Sequence, residues 1–210
     1  MRSGHPPSPA GPIIPDAPET AAAAAALEFA REYYSPDVLN HAVRSWIWAE
    51  HIGAERGIEN IDHELLYVAA LLHDIGLAPA YDNVALSYEE AGGHVAIALT
   101  TGAGWAPERR QRVLNVIVRH NWTSVDVDLD AEGHLLELAT GLDVTGANAE
   151  LVSDELVAAV LADFPRGDFG AEFLACVTDQ AERKPDTAAS RIAGAGLAAK
   201  VTAHPHESRG

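Results

Sequence analysis

Apolar residues recur at spacings of three and four through most of this 210-residue chain, which is the repeat of amphipathic helices, and β-branched runs are short. Residues 21–34 form an alanine-rich helical stretch that ends at Ser35-Pro36. Ser35 suits an N-cap, with Pro36 at the first helical position and Asp37 in the first turn. The helix that follows carries Leu39, Val43, Trp46 and Ile47 and is expected to stop at Gly57. Asp62 can cap the next one, which runs through Leu65, Leu66, Val68, Ala69, Leu71 and Leu72. That run is apolar almost all round, so its helix is expected at the centre, ended by Gly76 and Pro79. Further helices are expected near 88–101, 107–121, 132–144, 153–163 with Ser153 as cap, and 168–183. The strand-like stretch Val125 to Leu129 is short and reads as a loop. The sum is an all-α bundle with short connections.

The ends of the chain differ from this pattern. Residues 1–18 hold six prolines and are expected to be extended or disordered. Residues 19–184 form the single expected domain, and 185–210 a weakly helical, partly disordered tail with its helical pattern between Ala188 and Lys200. The composition, 48% hydrophobic and 21% charged, is globular. A formal charge of −17 repels polyphosphates and argues against a nucleic-acid-binding surface, although a metal can invert the local potential. No apolar run reaches the length of a membrane span, and the proline-rich start lacks a secretory h-region. The single cysteine, Cys176, fits a reducing compartment. A cytoplasmic protein is therefore expected, with a small-molecule substrate, no nucleic-acid or membrane partner, and a homo-oligomer allowed.

The chemistry centres on Leu71-Leu72-His73-Asp74-Ile75-Gly76, where a histidine and an aspartate stand together at the end of the most apolar helix. A buried carboxylate without a partner costs several kcal/mol. A divalent cation compensates it, because neutral imidazole and carboxylate are both ligands for zinc, iron, manganese or nickel. A hydrogen-bonded capping pair would compensate it too. The surrounding sequence supplies more candidates. His41 lies 32 residues earlier in Asn40-His41-Ala42-Val43-Arg44, with Arg44 about one turn on and on the same face. Asp143 lies in Thr140-Gly141-Leu142-Asp143-Val144, again among small and apolar residues.

On these motifs the chain resembles the HD superfamily of metal-dependent hydrolases, which share the order His…His-Asp…Asp and an all-helical core. The resemblance spans roughly residues 35–146. It implies an HD-domain helical bundle with His41, His73, Asp74 and Asp143 as the metal ligands. The strings around His41 and His73-Asp74, together with Tyr88-Glu-Glu-Ala-Gly-Gly93 and Ala139-Thr-Gly-Leu-Asp-Val-Thr-Gly146, are similar to the cyanamide hydratase-type branch. In that branch one zinc site adds water to a small nitrile-like molecule. HD nucleotidases carry a glutamate three residues after the doublet, where this chain has Leu77.

The function implied is a metal-dependent hydrolase or hydratase that uses a metal-bound hydroxide to attack a small nitrile-like or C–N substrate. One divalent metal is expected, zinc first, with iron, manganese or nickel open. His120, at a helix end in Val118-Arg119-His120-Asn121-Trp122, is the first choice for the acid that protonates the nitrogen. Arg44 is the second catalytic candidate, binding a substrate anion or, preferably, pinning a ligand carboxylate. Dinuclear HD proteins add two histidines between the doublet and the last aspartate. His94 and His120 fit that order, yet the first of the pair aligns nearer Tyr88 than His94, so they stand as a second metal pair or as pocket residues. His5, His51, His63, His134, His204 and His206 read as solvated, Glu89-Glu90 as a solvated helix start, and the four tryptophans as core or pocket wall. The competing functions are an HD phosphohydrolase or phosphodiesterase on a nucleotide or phosphate ester, a dinuclear iron oxygenase, and a non-catalytic HD binding module.

Overall fold

Local capping starts most of the helices. In the computed structural model, which describes residues 14–206, the Thr20 hydroxyl accepts from the Ala23 amide and opens α1 (Ala21–Tyr33). Ser35 does the same for α2 (Pro36–Glu55) and Asp62 for α3 (His63–Leu72). Ser87 and Glu90 form a reciprocal capping box at α4 (Tyr88–Gly102), so Glu90 is an engaged cap residue and not a free solvated charge. Pro107 opens α5 (Pro107–Arg119), and Asp130 and Ser153 cap α6 (Ala131–Thr145) and α7 (Asp154–Asp163). Three more helices follow among the described residues: α8 (Phe169–Arg183), α9 (Ala188–Gly194) and α10 (Leu197–Thr202). No strand is formed among the described residues. Asp126 turns the 125–129 stretch instead, its side chain accepting from the Asp128 amide and its carbonyl from Leu129 and Asp130. Residues 1–13, most of the proline-rich segment expected to be extended, and 207–210, the end of the expected tail, lie outside the described residues.

α3 is the centre, as its uniform apolarity predicts. Leu65 to Leu72 are all buried, and α1, α2, α4, α5 and α6 pack around them. The alanines of α1 (Ala22, Ala23, Ala26 and Ala30) face inward and let that helix lie close. Glycine allows the closest approach. A Cβ on Gly76, in the short 3₁₀ turn Ile75–Leu77 after the doublet, would sit 2.1 Å from the Tyr88 carbonyl oxygen. The start of α4 is thereby seated directly on the turn that carries His73 and Asp74.

A second apolar cluster joins Tyr88 and Val144 to Phe169, Phe173 and Val177 of α8 and to Ala189, Leu197 and Val201 of α9 and α10. The weak pattern between Ala188 and Lys200 thus becomes two helices, broken at Gly196, whose φ of 82° suits glycine. They are held by burial of their apolar faces, so this part of the expected tail is packed. Among the described residues no helix is long and apolar enough to cross a membrane.

Candidate metal centre

His73 is the C-cap of α3 and Asp74 the residue before the 3₁₀ turn, so the backbone changes direction between them. Both side chains thereby meet His41, two turns into α2. His41 Nε2 lies 3.1 Å from His73 Nε2 and 3.5 Å from Asp74 Oδ2, and His73 Nε2 lies 3.3 Å from the same oxygen. All three residues are buried, and their donor atoms fall within 4.8 Å of one another.

The hydrogen bonds at the far side of each ring set what the near side offers. His73 Nδ1 is 2.7 Å from the Ala70 carbonyl oxygen, which can only accept, so that nitrogen carries the proton. His41 Nδ1 is 2.7 Å from Asp143 Oδ2 and donates likewise. In the neutral rings both Nε2 atoms therefore present lone pairs to each other and to Asp74. Neither Asp74 oxygen has a hydrogen-bond partner among the described residues, and both are buried. Burial works against ionisation of Asp74, yet His73 and His41 outweigh it and hold the carboxyl well below the usual range. Burial also opposes charge on His73, and Asp74 draws its pKa up in spite of it. A dry cluster of lone pairs around an orphaned carboxylate calls for positive charge, and this donor set fits a divalent cation.

Asp143 meets this cluster from behind. Besides His41, its carboxylate accepts from Arg44 Nε at 2.8 Å, Arg44 Nη2 at 2.7 Å and Trp48 Nε1 at 2.8 Å. Those four donors engage both oxygens, and Asp143 is not among the three residues whose donor atoms converge. Burial penalises its charge, but Arg44 and then His41 keep its pKa well below the ordinary value. Arg166 donates to the Asp143 backbone carbonyl and stands 3.7 Å from Oδ2. Phe169 stacks on the His41 ring at 4.2 Å between centroids and 15° between planes. His41 is thus held by its Nδ1 proton and by its face. Arg44 is fully buried, with its remaining donor on the carbonyls of Phe164 and Pro165. It braces Asp143 and does not line the cavity described next.

That cavity, of about 590 Å³, opens from the cluster. His120 lines it beside the doublet, with Nε2 4.0 Å from Asp74 Oδ1 and its Nδ1 proton donated to the Ile117 carbonyl. Burial, reinforced by His73, pushes the His120 pKa down to about 3, so the ring is neutral with its Nε2 lone pair towards the cluster. Tyr88, whose hydroxyl is 3.0 Å from the Asn121 amide oxygen, forms part of the wall. From α6 come Glu137, Thr140, Gly141, Val144 and Thr145, one helical stripe at spacings of three and four. Burial raises the Glu137 carboxyl to about 7.

Other sequence candidates fall elsewhere. His94 is exposed and does not line the cavity, because α4 turns Ala91, Gly92, Gly93 and Ala96 inward and carries residue 94 on its outer face. The His94–His120 pair is therefore not assembled. Trp46 and Trp105 are core, Trp48 serves Asp143, and Trp122, 45% exposed, stands at the cavity. Glu89 is buried, and so is His204, which reaches the Leu142 carbonyl at 3.3 Å; neither is solvated. Arg166, Phe169 and Phe173 were not singled out by sequence. An arginine after a proline and two phenylalanines on an amphipathic helix carry no local mark of a site.

Residues 38–145 match the HD domain family. The cyanamide hydratases DDI2 and DDI3 of Saccharomyces cerevisiae are each 30% identical to this chain over 176 residues, covering 82% of this chain and 78% of the relative.

Proposed function

This chain belongs to the HD domain family and is a metal-dependent hydrolase or hydro-lyase, and from that premise we propose that it adds water to a small nitrile-like substrate of the cyanamide type. The orphaned Asp74 carboxylate facing the Nε2 atoms of His41 and His73 carries this reading. We propose those three residues as the ligands of one divalent cation, zinc first, with Asp143 holding His41 in place of the fourth ligand expected from the family order. The reason is that the four donors already on Asp143 satisfy both its oxygens. Arg44 is then a positioning residue, acting through Asp143.

When bound, such a cation supplies Lewis acidity and lowers the pKa of water to about 7. The chain's own groups handle the rest. Water's oxygen bonds to the nitrile carbon and one C–N π pair moves to nitrogen; the imidic acid that forms becomes the amide when its remaining O–H proton also passes to nitrogen, after nitrogen has gained the first proton that water loses. His120 starts neutral with an acceptor Nε2, so it first takes that proton and then returns it to nitrogen. Its assignment thus widens from an acid alone to a base that becomes the acid. The side chains of Val144 and Phe173 add apolar wall to the cavity that holds the substrate.

The test is metal analysis of the purified protein with a turnover panel of cyanamide, small nitriles and a generic phosphate ester. One divalent ion per chain and formation of urea from cyanamide are expected, both lost in Asp74→Asn. Metal-loaded protein that ignores cyanamide and nitriles but cleaves the phosphate ester would overturn the proposal.

A further inference from the structure

We propose that the substrate carries a carboxylate at the end remote from the attacked carbon, and that Arg191 and Lys200 bind it. This deepens the hydration reading above and names the class of molecule that the site takes. The cavity of about 590 Å³ falls in the range of ~300–1,000 Å³ that suits ligands of drug size. A bare nitrile of a few atoms would leave most of it filled by water.

The lining combines three kinds of group: His41, His73, Asp74 and His120 of the cluster, the apolar side chains of Val144, Phe173, Ile192 and Leu197, and the cations Arg191 and Lys200. Both are exposed, and neither has a hydrogen-bond or ion-pair partner among the described residues. Arg31, Arg56 and Arg110 also lack a carboxylate partner among the described residues, but none of them lines this cavity, and acidic residues outnumber basic ones 31 to 14 in the chain. Arg44, Arg109, Arg112, Arg119, Arg183 and Lys184 are all paired with carboxylates. Two cations left without acids beside a cavity suit an anion that arrives with the substrate.

Neighbouring acids do not take this role. Asp74 belongs to the cation cluster. Glu137 lines the same cavity but forms no ion pair with either base, and burial raises its pKa to about 7. Glu89 lies where Arg191 influences it only weakly, and burial raises its pKa. A carboxylate is favoured over a phosphate dianion because the −17 field opposes each added negative charge. Both bases come from α9 and α10, outside the family-matched residues 38–145. The catalytic end and the anion-binding wall are therefore separate parts of the chain, joined through the second apolar cluster.

The experiment uses the metal-loaded full chain and a matched pair, N-cyano-β-alanine and N-propylcyanamide. Their hydration products, the ureido acid and propylurea, serve as binding probes in calorimetry. The measured quantity is the ratio of carboxylate to uncharged compound in kcat/KM and, separately, in affinity. Wild type should favour the carboxylate, and the ratio should fall by about fivefold to tenfold in Arg191→Gln/Lys200→Gln, as expected for two solvent-facing ion pairs. Raised salt should shrink it in wild type alone. A ratio near one in wild type, or one unmoved by the double substitution, overturns the proposal. If the ureido acid is preferred and the preference is lost in the variant while no cyanamide is hydrated, the hydration reading fails and the anion site stands.

Discussion

Replacing Asp143 with asparagine separates an orienting carboxylate from a ligand. The side chain keeps its shape, and its amide oxygen can still accept from Arg44 Nε and Trp48 Nε1, now 2.8 Å from Oδ1. Its NH2 group then occupies the place of Oδ2, facing two donors, Arg44 Nη2 and His41 Nδ1, each at 2.7 Å. Arg44, wholly buried, loses its countercharge, and Arg166 stands close by with a second positive charge. Breaking a buried pair from one side costs about 3–5 kcal/mol. That is a large part of the ~5–15 kcal/mol that holds a domain folded. The second effect is on His41. To accept from the new amide, its Nδ1 must give up its proton, and the proton moves to Nε2, the atom that faces His73. The tautomer able to bind a cation is then disfavoured, and metal affinity should fall by about 10–100-fold, the usual effect of losing such an outer hydrogen bond. Urea unfolding of the metal-free protein measures the first number, and competition with a chelator the second. Full stoichiometry should return at high metal concentration. A folded variant that never binds metal would make Asp143 a direct ligand, and a variant with wild-type stability and affinity would refute the bracing role altogether.

Three other outcomes follow from single contacts. Gly76→Ala places a methyl 2.1 Å from the Tyr88 carbonyl oxygen, so the urea midpoint should drop by the ~1–3 kcal/mol of overpacking or more, with the m-value unchanged. Trp48→Phe removes one donor from a buried carboxylate and should cost about 1.5–3 kcal/mol while keeping the bound metal, checked by unfolding and metal analysis. His204 is held down to about 4 by burial and by Arg166, so between pH 6.5 and 4 the unfolded chain binds its proton more readily than the folded one. Stability should therefore fall as pH drops through that window, and His204→Gln should flatten the fall; an equal slope in the variant removes His204 as its source.

The helices were legible because their signals are local. Ser35-Pro36, Asp62 and Ser153 act on amides two or three residues away, and the start of each helix follows from those few atoms. The doublet was legible for a related reason: His73 and Asp74 end the one helix whose every face is apolar, so burial of an acid and an imidazole could be inferred without a partner in view. His94 stayed open between a site residue and a surface one because α4 is rich in alanine and glycine, and small residues leave little contrast between inner and outer faces. The tail was underestimated because α9 and α10 are too short to hold themselves up, and their stability comes from the aromatic residues of α8.

Sequence by itself determined an all-helical bundle, the buried His73-Asp74 pair and the kinds of donor available to a cation. Tertiary structure decided which atoms of those donors meet: that His41 turns Nε2 to His73 and Nδ1 to Asp143, that Arg44 braces a carboxylate 99 positions away, and that one arginine and one lysine from α9 and α10 stand beside the cavity. The reason is one of range. Helical periodicity and caps couple residues within a turn or so, whereas the choice between two ring nitrogens depends on how whole helices pack, which no local stretch of chain encodes.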